Sequence, residues 1–138
     1  MSVPKRVLVA DDEPAILAAM AELLRLEGFE VAAAHDGPTA LEAAGRFHPD
    51  AMILDVMMPG ENGYRVSRAV KSATGDAPIP KVLIVTARRL DDDPEREALF
   101  LQFSMADGVL YKPFRLADLL DRLHQLLDDA PKKAAQAS

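Results

Sequence analysis

The sequence predicts an α/β fold in which a parallel sheet is covered by helices on both faces. Three observations point there. Five apolar runs of strand length alternate with five stretches whose apolar side chains recur at helical spacing. Each strand-plus-helix unit takes roughly 20–30 residues, as a right-handed crossover between parallel strands requires. Runs such as Val7-Leu8-Val9-Ala10 and Ala51-Met52-Ile53-Leu54 are unbroken and read as buried strands.

The elements follow in order. Arg6–Ala10 is the first strand. Residues 14–27 place Ile16, Met20, Leu23 and Leu24 on one helical stripe; Pro14 suits the first turn and Gly28 the stop. Leu17, next to core-facing Ile16, is expected toward solvent, an apolar spot beside the site described below. Glu30–Ala34 is a weaker second strand, and residues 39–47 a helix with Ala40, Leu41, Ala44 and Phe47 on one side. Residues 51–54 form the third strand, and residues 63–73 a helix capped by Asn62. Lys81–Thr86 is the fourth strand, rich in Val, Leu and Ile. Residues 93–105 form a helix opening with acids and a proline, Gly108–Tyr111 a short fifth strand, and Leu116–Leu127 an amphipathic helix.

The helix at 93–105 is more apolar than one buried face needs. Leu99 and Phe103 are expected as its core pair at i, i+4, which turns Phe100 and Leu101 partly outward. Phe100, Leu101 and Val109 are then the candidate surface for a downstream protein or a second copy of the chain. One domain is expected over residues 5–127, with a small, polar, frayed tail over 128–138 and no output domain.

Composition narrows the function classes. Apolar residues make up 49% and charged residues 28%, a globular balance. The net charge of -6 argues against nucleic-acid binding, which wants a basic stripe. The absence of cysteine excludes disulfides, thiolate metal sites and a thiol nucleophile. No apolar run is long enough for a membrane span, and the N-terminus lacks a signal-peptide core, so a cytoplasmic protein is expected.

The chemistry lies at the strand ends. Ligands of open α/β sheets sit beyond the carboxyl ends of the strands. There the first strand presents Asp11-Asp12-Glu13, the third Asp55, the fourth Thr86-Ala87 and the fifth Lys112-Pro113-Phe114. Crowded carboxylates repel, and a hard divalent cation relieves them; Mg2+ fits because it takes few protein ligands and keeps phosphate oxygens. Asp55 is then a candidate nucleophile that forms an acyl phosphate. Lys112 and the metal would neutralise the phosphoryl oxygens, Thr86 would donate a hydrogen bond to the group, and Ala87 would leave room for it.

Asp11-Asp12-Glu13-Pro14, Leu54-Asp55-Val56-Met57-Met58-Pro59-Gly60, Thr86-Ala87 and Tyr111-Lys112-Pro113-Phe114 resemble, in order, the four signatures of the response-regulator receiver domain. The resemblance covers residues 5–127. It implies a flavodoxin-like five-stranded sheet of order 2-1-3-4-5 with five helices. It further implies Asp55 as phosphoacceptor, Asp12 as direct Mg2+ ligand and Asp11 as a ligand largely through water. The Met57 carbonyl would complete the metal site, Thr86 would be the switch hydroxyl and Lys112 the phosphoryl partner, with a cis Lys112-Pro113 bond. The implied donor is the phosphohistidine of a sensor kinase or phosphotransfer protein. The chain would catalyse only its own phosphorylation and dephosphorylation and would act by binding another protein or by passing the phosphoryl group along a relay. Val109 stands where the family usually carries an aromatic residue three before the lysine, which leaves the threonine without its usual aromatic partner.

Other readings are weaker. A phosphorylation-independent interaction module would fit Val109 but not the intact acid site. A dehalogenase-like phosphatase needs an Asp-x-Asp motif that Asp55-Val56-Met57 lacks, and a flavodoxin-type flavin carrier would be repelled by Asp11-Asp12-Glu13. Asp91-Asp92-Asp93 reads as a solvated loop with a helix cap, and His35, His48 and His124 have no ligand spacing. Met57 and Arg88 lie near the rim, where they would screen attacking water.

Overall fold

A computed structural model describes residues 4–87 and 93–128. Expectations about Arg88, Asp91, Asp92 and residues 129–138 lie outside the described residues. Five strands, β1 (Arg6–Ala10), β2 (Glu30–Ala34), β3 (Ala51–Asp55), β4 (Lys81–Thr86) and β5 (Gly108–Tyr111), form one parallel sheet of order β2-β1-β3-β4-β5. They alternate with α1 (Pro14–Leu26), α2 (Gly37–Phe47), α3 (Gly63–Lys71), α4 (Pro94–Ser104) and α5 (Leu116–Leu127).

The unbroken apolar runs are explained by two separate cores. Strand alternation sends Leu8, Ala10, Met52, Leu54, Val82 and Ile84 to one face, where Ala40 of α2 and Tyr64 and Val66 of α3 cover them. Val7, Val9, Ile53, Leu83 and Val85 go to the other face, under Met20 and Leu24 of α1 and Leu119 and Leu123 of α5. Each such large side chain, once buried, stabilises the fold by about 1.5–3 kcal/mol. Among the described residues no helix is long and apolar enough to cross a membrane.

Helix boundaries follow their caps. Asn62 caps α3 by accepting from the Arg65 N–H, as expected. Helix α2 starts at Gly37 rather than 39, because the Asp36 side chain accepts from the Thr39 N–H and Pro38 sits in the first turn. Helix α3 ends at Lys71 rather than 73, and α1 gives way to Gly28 at φ +97°.

Two packing expectations are corrected. Leu99 and Phe103 are not a core pair; they are 65% and 44% exposed. Phe100 takes the inward place, stacked on Tyr64 of α3 with ring centroids 4.8 Å apart. Phe100 and Val109 are partly buried against the core and Leu101 is half-buried, so all three are only partly exposed. Leu17 is also half-buried, packed against the α1–α5 core beside Ala33 and His35, rather than turned to solvent.

Candidate functional site

The topology brings the carboxyl ends of β1, β3, β4 and β5 to one rim, and all the polar groups expected there converge on it. Asp55 is the last residue of β3 and is 5% exposed. Asp11, just past β1, is fully buried and Asp12 beside it is exposed. Carboxylate oxygens of Asp11, Asp12 and Asp55 all lie within 4.8 Å of one another. The Lys112 ammonium reaches in from the end of β5, donating to Asp11 Oδ2 at 3.1 Å and lying 3.7 Å from Asp55 Oδ1.

The backbone holds these groups in place. The Asp11 N–H donates to the Ala34 carbonyl on β2, and Asp11 Oδ1 accepts from the Glu13 N–H at 2.9 Å, fixing the carboxylate at the start of α1. The Val56 N–H donates to the Val85 carbonyl, and the Gly63 N–H to the Val56 carbonyl. A Cβ on Gly63 would strike the Asp55 carbonyl, so only glycine lets α3 begin against the acid-bearing strand. Thr86 is fully buried, and its carbonyl accepts from the Lys112 N–H at 2.8 Å, which ties the ends of β4 and β5. Lys112-Pro113 is cis, as the family resemblance implied.

The charge at the rim is unbalanced. Burial pushes the Asp55 carboxyl up to about 6, neighbouring Asp11 adds to the rise, and Lys112 and the Met57 N–H oppose it. For Lys112, burial works to lower the pKa, but the hydrogen bond to Asp11 and the charges of Asp55, Asp11 and Glu13 outweigh it and the net shift is upward.

The structure therefore brings together Asp11, Asp12, Asp55, Thr86 and Lys112. Ala87 is exposed at the mouth, and Met57 follows in the β3–α3 turn with its side chain 65% exposed. Glu13, placed at the rim with Asp11 and Asp12 by the sequence, adds to the negative field at Lys112. Sequence reasoning missed one feature of the site. Ile16, Met20, Phe114 and Leu116 line an apolar hollow that opens beside Lys112 and Ala87; the sequence reading had put the apolar spot on Leu17. The 16/20 spacing on α1 was the signal available for it.

The family model for the response regulator receiver domain matches residues 7–124. This chain belongs to the response regulator receiver domain family. Receiver domains of this kind are parts of two-component response regulators, and they generally bind Mg2+ at their acidic pocket. The response regulator MprA of Mycobacterium leprae is 40% identical over 137 residues, covering 96% of this chain and 57% of that protein. The transcriptional regulatory protein PrrA of Mycobacterium tuberculosis is 41% identical over 133 residues, covering 96% of this chain and 54% of that protein. The chain thus spans about half the length of the curated relatives it matches. Among solved structures, a CheY-like receiver domain protein from Methanospirillum hungatei superposes with a TM-score of 0.79 at 27% identity, over 95% of this chain and 99% of that one. The response regulator TrrA of Thermotoga maritima, solved in complex with Mg2+ and BeF, superposes with a TM-score of 0.73 at 32% identity, over 88% of this chain and 98% of that one.

Proposed function

We propose that the receiver unit, residues 5–127, accepts a phosphoryl group on Asp55 from the phosphohistidine of a sensor kinase or phosphotransfer protein, in the cytoplasm and with Mg2+. The observation that carries this is the excess of acid at the rim: three carboxylates within 4.8 Å of one another against one ammonium. The donors are hard oxygens at the mouth of a rim open on one side, which suits Mg2+ better than a softer ion. Asp11, Asp12 and Asp55 would hold the metal, with the Met57 carbonyl as a further ligand by family resemblance. When bound, the metal supplies positive charge to the phosphoryl oxygens.

The chain's own residues supply the rest. An Asp55 oxygen attacks phosphorus; the P–N bond to the donor imidazole breaks, its electron pair stays on nitrogen, and that nitrogen takes up a proton. An aspartyl phosphate results. With its pKa near 6, Asp55 is chiefly ionised at neutral pH and so is competent as a nucleophile. Lys112, already between Asp11 and Asp55, moves its charge to a phosphoryl oxygen as negative charge builds. Thr86, at the end of β4, donates its hydroxyl to the modified group, and Ala87 leaves space for it. The hollow of Ile16, Met20 and Phe114 beside Lys112 offers an apolar seat for the donor protein.

Incubation with Mg2+ and beryllofluoride tests this reading. A stoichiometric adduct that Asp55→Asn abolishes is the expected result. A protein that forms no adduct yet still binds its partner would be an interaction module independent of phosphorylation, the reading that Val109 in the aromatic position favours.

A further inference from the structure

The outward side of α4 points somewhere the acid site does not use. Tyr64 and Phe100, stacked between α3 and α4, form the floor of a groove, and exposed Leu99 and Phe103 form its apolar wall. Its rim is basic. Arg65 and Arg96 line the groove, and the Arg68 guanidinium lies 4.9 Å over the Phe103 ring while donating to the Phe103 carbonyl.

Among the described residues, few carboxylates balance these charges. Glu61 lies 3.6 Å from Arg65. Asp93 is occupied in capping α4, where it accepts from the Arg96 N–H, and Glu97 is turned away to the Tyr111 hydroxyl. Arg68 and Arg96 form no ion pair among the described residues. A concentration of arginine around exposed apolar side chains, on a chain with a net charge of -6, runs against the charge of the whole. Arginine at the edge of an apolar groove with an aromatic floor is the composition of a binding hot spot.

We propose that this α3–α4 groove docks an acidic amphipathic helix of a partner protein, its Leu or Phe side chains against Leu99, Phe100 and Phe103 and its carboxylates against Arg65, Arg68 and Arg96. The surface is distinct from the phosphoryl site and shares only Phe100 with the α4–β5 surface first expected. An acidic partner fits because the guanidiniums present forked donors that match carboxylates. A second copy of the chain fits less well: its net acidity would suit the basic rim, but among the described residues no matching apolar helix face is left exposed on α1 or α5, where Leu26 and Leu116 stand singly.

The groove does not require Asp55, so it can be tested on the unmodified chain. A random library of displayed helical peptides is selected on the intact chain at low salt. The expected pool is enriched in Asp and Glu around Leu or Phe at i, i+3 and i+4. Its members should lose at least about tenfold in affinity for Arg96→Glu and for Leu99→Glu, and should weaken with added salt. Both positions are solvent-exposed, so circular dichroism should show the variants folded. A pool with no acidic bias, or one indifferent to both substitutions, overturns the proposal. So does concentration-dependent dimerisation in gel filtration that Leu99→Glu removes, which would give the face to a second copy.

Discussion

The two ends of the sheet use the same residue types to opposite effect. At the amino-terminal end, carboxylates are matched one by one. Asp50 accepts from the Arg6 N–H at 2.8 Å, Glu30 meets Arg6 Nε at 3.1 Å, and Asp107 takes both the Val82 N–H at 2.7 Å and Lys71 Nζ at 2.6 Å. At the carboxyl-terminal end, Asp11 and Asp55 share Lys112 while Asp12 crowds the same cluster, and the Asp55 carboxyl is driven up to about 6. Charge that closes locally holds strands in register. Charge left in excess is available to a cation and to a phosphoryl group.

Substitutions at each end should separate these roles. The largest effect belongs to Asp55→Asn in metal-free buffer, and its sign is stabilising. The native carboxyl holds its proton up to about pH 6, while the unfolded one releases it near 3.8. Between those values the native state binds more protons at this site, so the Asp55 contribution to stability falls as pH rises and stays low above about 6. The shift from 3.8 to about 6 corresponds to about 3 kcal/mol. Urea melts above pH 6 should find Asp55→Asn more stable by up to that amount, with the difference gone below 3.8 and reduced by added Mg2+. A destabilised variant across the whole range would mean the rim is balanced after all.

Next is Lys112→Ala. With its cation removed, the rim should bind Mg2+ more tightly, because three carboxylates then face the ion alone, while phosphorylation by acetyl phosphate should slow about a hundredfold. Unchanged rates would make Lys112 a structural counter-ion only. The smaller effect is at the opposite end: Asp107→Ala should cost about 2 kcal/mol in urea unfolding, since the Val82 N–H and Lys71 both lose their acceptor. It should leave adduct formation at Asp55 untouched. Loss of both would erase the distinction between the two ends.

The acid rim was legible in the sequence because parallel topology turns strand-end residues into neighbours, so Asp11, Asp55, Thr86 and Lys112 needed only their strands to be placed. The sheet order and the cis bond were available through family resemblance, and both appear in the fold. Helix α4 was not legible in the same way. Leu99, Phe100, Leu101 and Phe103 put apolar side chains on several sides, so spacing alone does not say which side is buried. A tertiary partner decides it: Tyr64 on α3 stacks with Phe100, and Ser67 and Arg68 bind the carbonyls of Ser104 and Phe103, which rotates Leu99 and Phe103 outward. The start of α2 was missed because Gly37-Pro38 reads as a breaker, although Asp36 caps it and Gly37 packs where a Cβ would strike Glu61. Leu17 was misplaced because the half-buried seat near Ala33 and His35 depends on β2, not on the spacing within α1.

The central claim is that excess acid at the carboxyl rim makes Asp55, and neither Asp11 nor Asp12, the phosphoacceptor. Borohydride reduces an aspartyl phosphate to homoserine, so treatment with acetyl phosphate and Mg2+, reduction and peptide mapping tests it directly. Homoserine at position 55 alone, and only when Mg2+ is present, is the predicted result. Homoserine at position 11 or 12, or none at position 55, would contradict it.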